Sequence, residues 1–366
     1  MIWALLLTFS GHSTAFAQEK NQARPLFENQ ELLRLRIEAP FTTIMANRGS
    51  DEYQDGLLHL PGPSGTEQTF DLKIRTRGNY RGKVEHCRFA PLRINFRKKQ
   101  VRGSEFHGQD KLKLVTHCEN VGGAYEQSLL LEYLAYRILN QLTDLSFRVR
   151  LLHVDYVDTD NNKTRSKYAF LIEDDKELAR RIGMEIATVR SITAELLDQR
   201  QTALFSVFQY LIGNTDFSAM RGAADSTCCH NAVLFHGPDS RFIPIAYDFD
   251  LSGIVDAPYA TPNPKFPIKD VKERLYRGFC SYNDLLEDTV KLVTTNRESI
   301  ERLIEEQEGL KKSSKRAALR YIDKFFDRVS DSSKIERYLI RECALEVEPQ
   351  AGEQSSPRPA VPFADA

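Results

Sequence analysis

Short runs in which apolar and polar positions alternate, or which are rich in β-branched residues, dominate the first third of the chain. Leu32 to Ile37, Phe70 to Arg75, Ala90 to Phe96 and Lys111 to Thr116 carry that signature and predict strands. Gly78-Asn79 and Gly82 punctuate the connection after the second of these. From Ala124 to Leu142 the period changes. Leu130, Leu134, Ile138 and Leu142 recur every four residues, which predicts one amphipathic helix. Strands return over Arg148 to Val157 and Ser166 to Glu173, on either side of the polar turn Asp158 to Asn162. Beyond Asp175 the pattern is largely helical, near 188–213, 283–309 and 313–345, with short apolar strands from Asn231 and from Phe242 to Tyr247. A strand-rich half with one embedded helix, followed by a helical half, predicts an α+β protein of two lobes, over 18–175 and 176–345.

Both ends read differently. Ile2 to Gly11 is apolar but too short to span a bilayer, and Ala15-Phe16-Ala17 suits a processing site, so 1–17 is expected to be a cleaved export signal. Residues 346–366 lack apolar periodicity and read as a disordered tail. The expected location is therefore exported, periplasmic or secreted, with no transmembrane segment after cleavage. Export gives the six cysteines a meaning, since an oxidising compartment favours disulfides. Cys87 with Cys118, and Cys228 or Cys229 with Cys280, are the preferred pairs; adjacent cysteines rarely bridge each other. A metal site at Cys228-Cys229-His230 would lack a second spaced pair of ligands.

The 366 residues are 41% hydrophobic and 28% charged, which is ordinary for a globular chain, and the net charge of -1 excludes a polyanion binder by bulk charge. Its distribution is uneven. From Asp71 to Lys113 there are thirteen Lys and Arg against four Asp and Glu. That suits an anionic ligand or a solvated basic face, and sparse aromatics argue against a nucleic-acid partner.

The chemistry is concentrated later. An apolar helix ends at Gly213 and is followed by Asn214-Thr215-Asp216. Asn231 opens a short strand, and a second strand delivers Asp248-Phe249-Asp250 at its end. Alternation places Asp248 and Asp250 on one side and Phe249 on the other. Three carboxylates and an amide form a hard-oxygen set suited to Mg2+ or Mn2+ with phosphate oxygens. Phosphoryl transfer needs an Asp beside the attacking hydroxyl, an Asn and an Asp for metal, and a cation for the phosphates paired with a helical Glu. Along the chain these parts come as strands, a candidate Lys, a helix carrying Glu126 and Glu132, more strands, and then Asp, Asn and Asp.

On these motifs the chain resembles the spore-coat CotH family of atypical, protein-kinase-like enzymes and related exported bacterial proteins, over about Phe70 to Cys280. Lys73-Ile-Arg75-Thr-Arg77-Gly78-Asn79 resembles that family's Arg-Gly-Asn segment near the nucleotide, and Lys111-Leu-Lys113-Leu-Val115 with the following helix resembles its strand-then-helix unit. The resemblance implies a two-lobed protein-kinase-like fold, with a β-rich, nucleotide-binding N-lobe and a mainly helical C-lobe. It also implies ATP or another nucleotide with Mg2+ or Mn2+, and a protein or glycan acceptor. Asp216 is then the catalytic residue, and Asn231 and Asp248 the metal ligands. Asp250 is either a further ligand or a partner for a basic residue. Lys113 is the first choice for the phosphate-holding cation, with Lys73, Arg75 and Arg93 as alternatives. Glu126 or Glu132, six apart and so unable to share one lysine, is its helical partner. Two departures stand out: Asp216 and Asn231 are fifteen residues apart, and no Gly-x-Gly-x-x-Gly loop is present. The expected activity is an exported Mg-dependent phosphotransferase. The alternatives are a catalytically inactive binding or scaffold protein of the same fold, and a metal phosphoesterase using His230.

Overall fold

The computed structural model describes residues 23–62, 65–222 and 226–345. The expected export signal and C-terminal tail lie outside the described residues. The chain opens with a short helix, α1 (Pro25–Glu28), then β1 (Leu33–Ala39), α2 (Phe41–Ala46), β2 (Gln54–Pro61), β3 (Glu67–Thr76), β4 (Leu92–Phe96) and β5 (Lys111–Val115). Helix α3 (Ala124–Leu142) follows, with the bounds its periodicity predicts, and then β6 (Val149–Asp158) and β7 (Lys163–Ile172).

These strands close into a seven-stranded barrel in the order β1-β2-β3-β4-β5-β7-β6. This corrects the expected two-lobed protein-kinase-like fold with an open-sheet N-lobe; only the α+β class survives. The closing contact is β1 with β6, parallel and in register from Leu33↔Leu152 to Ala39↔Asp158. Two strands more than a hundred residues apart remove each other's free edge, a pairing that no local pattern encodes. Strand β2, absent from the sequence reading because Gly56 and Pro61 weaken its pattern, bridges β1 and β3.

Alternation decides what fills the barrel. Phe70, Leu72 and Ile74 of β3, Leu92 and Ile94 of β4, Leu112 and Leu114 of β5, and Leu152, Val154 and Tyr156 of β6 form its interior core with Phe41, Phe89 and Phe106. The outward residues Val149, Leu151, Phe170 and Ile172 belong to a second core, where they meet Leu130, Leu134 and Ile138 of α3.

The rest of that core is the helical body. After α4 (Asp175–Ile182) and the short strand β8 (Glu185–Ile186), the expected helix over 188–213 begins only at α5 (Gln199–Ile212). Asp198 caps it by accepting the Gln201 N–H, while the preceding backbone pairs outward, Ala187 N–H to Leu234 O and Ile192 N–H to Met220 O. Strands β9 (Ala232–His236) and β10 (Phe242–Ala246) form a hairpin beside β8. Helices α6 (Leu286–Thr295), α7 (Arg297–Glu306), α8 (Lys312–Arg328) and α9 (Ser332–Ile335) complete the body.

Three cysteine pairs are bonded: Cys87–Cys118, Cys228–Cys229 and Cys280–Cys343. The first matches expectation. The expected bond from Cys228 or Cys229 to Cys280 does not form, because a Phe279↔Ala344 bridge lays Cys280 against Cys343. Among the described residues no helix is long and apolar enough to cross a membrane.

Candidate functional site

The β9–β10 hairpin brings Asn231 and Asp248 together. Ala232 pairs with Ala246, and the next residue out on each strand is tied by the Tyr247 N–H to Asn231 O bond of 3.2 Å. Asn231 and Asp248 both adopt left-handed backbone, with φ of 51° and 61°, a region that Asn and Asp enter more readily than other side-chain-bearing residues. Phe249 holds the turn down. It is fully buried, 4.5 Å from the ring of Tyr136 and 5.3 Å from that of Phe208. Tyr136 also accepts the Asp248 N–H at 2.8 Å.

Asp216 arrives from the end of α5. Gly213 terminates that helix with φ of 66°, and a Cβ there would sit 1.8 Å from the Tyr321 hydroxyl, so only glycine fits. The Asn214 side chain then accepts the Asp216 N–H at 2.9 Å. An antiparallel Ser218↔His230 bridge brings the chain back from Asp216 to Asn231. Asn231 Nδ2 consequently donates to both the carbonyl and Oδ2 of Asp216, at 2.7 and 3.0 Å. His230 Nε2 lies 2.8 Å from Asp216 Oδ1. That hydrogen bond raises the imidazole pKa above its ordinary value, against the smaller opposing effect of burial. Arg277 secures the loop from behind, donating to the carbonyls of Thr215 and Phe217 at 2.8 and 2.7 Å. Its guanidinium lies 4.4 Å from both the Phe217 and Phe266 rings, and burial lowers its pKa to about 10.

Arg81, which sequence reasoning did not single out, joins the site to the embedded helix. It grips Glu132 with two bonds of 3.0 and 3.2 Å, and reaches Asp250 Oδ2 at 3.1 Å and Asp248 Oδ1 at 3.4 Å. Burial works against its charge, but Asp250 and Glu132 more than offset this and hold its pKa well above the ordinary value. Burial raises the pKa of the Asp250 carboxyl in turn, with Arg81 opposing. Tyr259 donates to Asp250 Oδ2 at 3.0 Å. One signal could have found Arg81: Glu132 interrupts the apolar face of α3, and a buried carboxylate requires a cation.

The expected phosphate-holding cations divide. Arg75, Arg93 and Lys113 stand directly opposite one another on β3, β4 and β5, in one cross-strand row on the outer wall of the barrel. Lys113 meets neither Glu126 nor Glu132. It pairs with Asp175 at 3.0 Å and lies over the rings of Tyr247 and Phe147, at 5.4 and 5.9 Å. Arg75 pairs with Asp51 at 3.1 Å. Lys73 pairs with Asp55 at 2.7 Å beside a groove of about 450 Å3 that includes no residue of the Asp216–Asp248 site. Glu126 accepts the Tyr168 N–H at 2.8 Å and faces Lys167 at 3.7 Å, so it too stands apart. Arg77 lies within electrostatic range of Asp248, Arg81 and Arg93, and burial lowers its pKa.

The donor set can be tested against a divalent ion. Among the described residues no group of three or more His, Cys, Asp or Glu is arranged to hold one. Asp250 does not fit as a ligand here, because Arg81 and Tyr259 occupy its Oδ2. Asp248, whose side chain is 39% exposed, and Asn231, whose amide nitrogen turns to Asp216 and leaves Oδ1 as the ligand atom, do fit. Magnesium commonly takes one or two protein oxygens and completes its shell with water and phosphate. No protein-family model matches the chain, and no curated protein matches it.

Proposed function

We propose that the site transfers a phosphoryl group from a nucleotide, ATP in the first instance, to a hydroxyl of a protein or glycan outside the cytoplasm. The observation that carries this reading is the meeting of Asp216 with Asn231, at 3.0 Å, on the strand end next to Asp248. The CotH-like order of motifs supports it, as do the paired cysteines, which suit an oxidising compartment. Asp216 orients the acceptor hydroxyl and takes its proton. His230 and Asn231 hold the two Asp216 oxygens in place. Arg77 and the Arg75–Arg93–Lys113 row attract the phosphate oxygens. A divalent ion held by Asn231 and Asp248 supplies neutralisation of the phosphate charge. The phosphoesterase reading finds little support, since among the described residues His230 is the one histidine in contact with Asp216.

A second reading is favoured by one observation. Arg81 ties Asp248 to Asp250 and Glu132, which suits a protein that binds nucleotide without turnover. Two measurements separate the readings. ATP with magnesium is expected to raise the melting temperature of the wild type, and Asp248→Ala to abolish that shift. Radiolabel from the γ-phosphate is expected in an acceptor or in the protein itself, and to vanish in Asp216→Asn. Absence of any magnesium-dependent shift would sink both readings; a shift without Asp216-dependent transfer would leave the binding protein.

A further inference from the structure

Helix α8 segregates its charge. From Lys311 to Lys324 the chain carries six basic residues and a single acid, Asp323. Ala318, Ile322, Phe325 and Phe326 bury one side of the helix. Lys312, Arg316, Arg320 and Lys324, spaced by four, are exposed along the other. At 1.5 Å per residue the four charges stand about 6 Å apart along the axis and cover about 18 Å. Like charges at this spacing destabilise a helix, and none of the four has an ion-pair partner among the described residues. Of the acids beside the helix, Asp323 pairs with Arg297 at 2.8 Å, and Glu305 makes no ion pair with the four cations. Lys315 of the same helix is held by the Glu305 carbonyl. Asp327, three residues past Lys324, ends the stripe.

We propose that this stripe docks a linear anionic polysaccharide. A regularly spaced row of cations, inclined about 26° to the helix axis, complements a flexible polymer with charges repeating along its length, and release of the polymer's counterions drives such contacts. Two other polyanions fit less well. The stripe carries no aromatic ring on which bases could stack, and none of the large exposed hydrophobic residues lies on α8 to enter a membrane surface. This inference does not depend on the proposed transfer activity.

A fluorescent heparin octasaccharide, read by anisotropy, provides the test. Four ionic contacts imply that affinity falls about 50- to 150-fold between roughly 50 and 200 mM salt. The double variant Arg316→Ser with Arg320→Ser is expected to bind about tenfold more weakly at the lower salt and to show about half the salt dependence. Lys312→Ser with Lys324→Ser is expected to behave alike, and Lys98→Ser on the barrel to bind as the wild type does; all should melt with the wild type. Failure of heparin to bind at the lower salt, or unchanged binding by both double variants, would overturn the proposal. So would tighter binding of single-stranded DNA of equal charge, or of phosphatidylserine vesicles, than of heparin.

Discussion

One rung of the barrel shows two outer walls side by side. Read outward across the strands, Arg75, Arg93 and Lys113 are followed by Ile172 and Val149. Inside, the two stretches are alike, with Leu72, Ile94 and Leu112 on one and Leu152, Val154 and Leu171 on the other. Outside, the aliphatic wall of β6 and β7 is covered by α3 and merges with the core of the helical body. The cationic wall of β3 to β5 faces Asp175, Tyr247 and the approach to Asp248. Like charges directly opposite on paired strands are unfavourable. The interior therefore makes the barrel, while the exterior packs one wall against the helical body and leaves the other cationic, the wall to which the proposed function assigns the phosphate oxygens.

The comparison can be broken most strongly at the aliphatic wall. Leu134→Ala removes a fully buried side chain between α3 and the barrel, with an expected loss of about 2–5 kcal/mol in urea unfolding. A loss below about 1 kcal/mol would mean that α3 does not hold that wall.

A titratable group placed inside the same framework sharpens the contrast. His117, fully buried and stacked 4.5 Å from the Phe89 ring, has its pKa lowered from 6.5 to about 4, chiefly by burial. The folded state thus resists a proton that the unfolded chain accepts. Stability from this site is complete above pH 6.5 and is lost as pH falls towards 4, by about 3 kcal/mol in all. His117→Gln is expected to flatten that part of the pH–stability curve. An unchanged acid slope in the variant would place the proton uptake elsewhere.

The smallest effect is expected on the cationic wall. Lys113→Ala removes one ion pair with a partly exposed Asp175, and should change stability by about 1 kcal/mol or less. It should also weaken the magnesium–ATP thermal shift. A large loss of stability with that shift intact would show this wall to be structural after all.

Much of this was legible along the chain. The four-residue recurrence of Leu130, Leu134, Ile138 and Leu142 defined α3 to the residue, because a helix face is written in local spacing. The segments that carry Asp216, Asn231 and Asp248 were legible as well, since a helix ending before Gly213 and two short apolar strands are written in local spacing. What stayed hidden depends on contacts between distant segments. Barrel closure rests on β1 meeting β6, and β2 was lost for want of a strong local pattern. The cation of the embedded helix proved to be Arg81, on a loop, because salt-bridge partners are selected by proximity in three dimensions.

By itself, the sequence determined the α+β class, the strands marked by strong alternation, and the apolar face of α3. Local spacing and side-chain type suffice for those. The tertiary structure alone decided that the strands form a closed barrel, that Arg75, Arg93 and Lys113 line up, and that Asp250 is held by Arg81 while Asp248 remains open to solvent. Those outcomes turn on register and on competition among charges for burial, and both are settled only when segments far apart in the chain pack together.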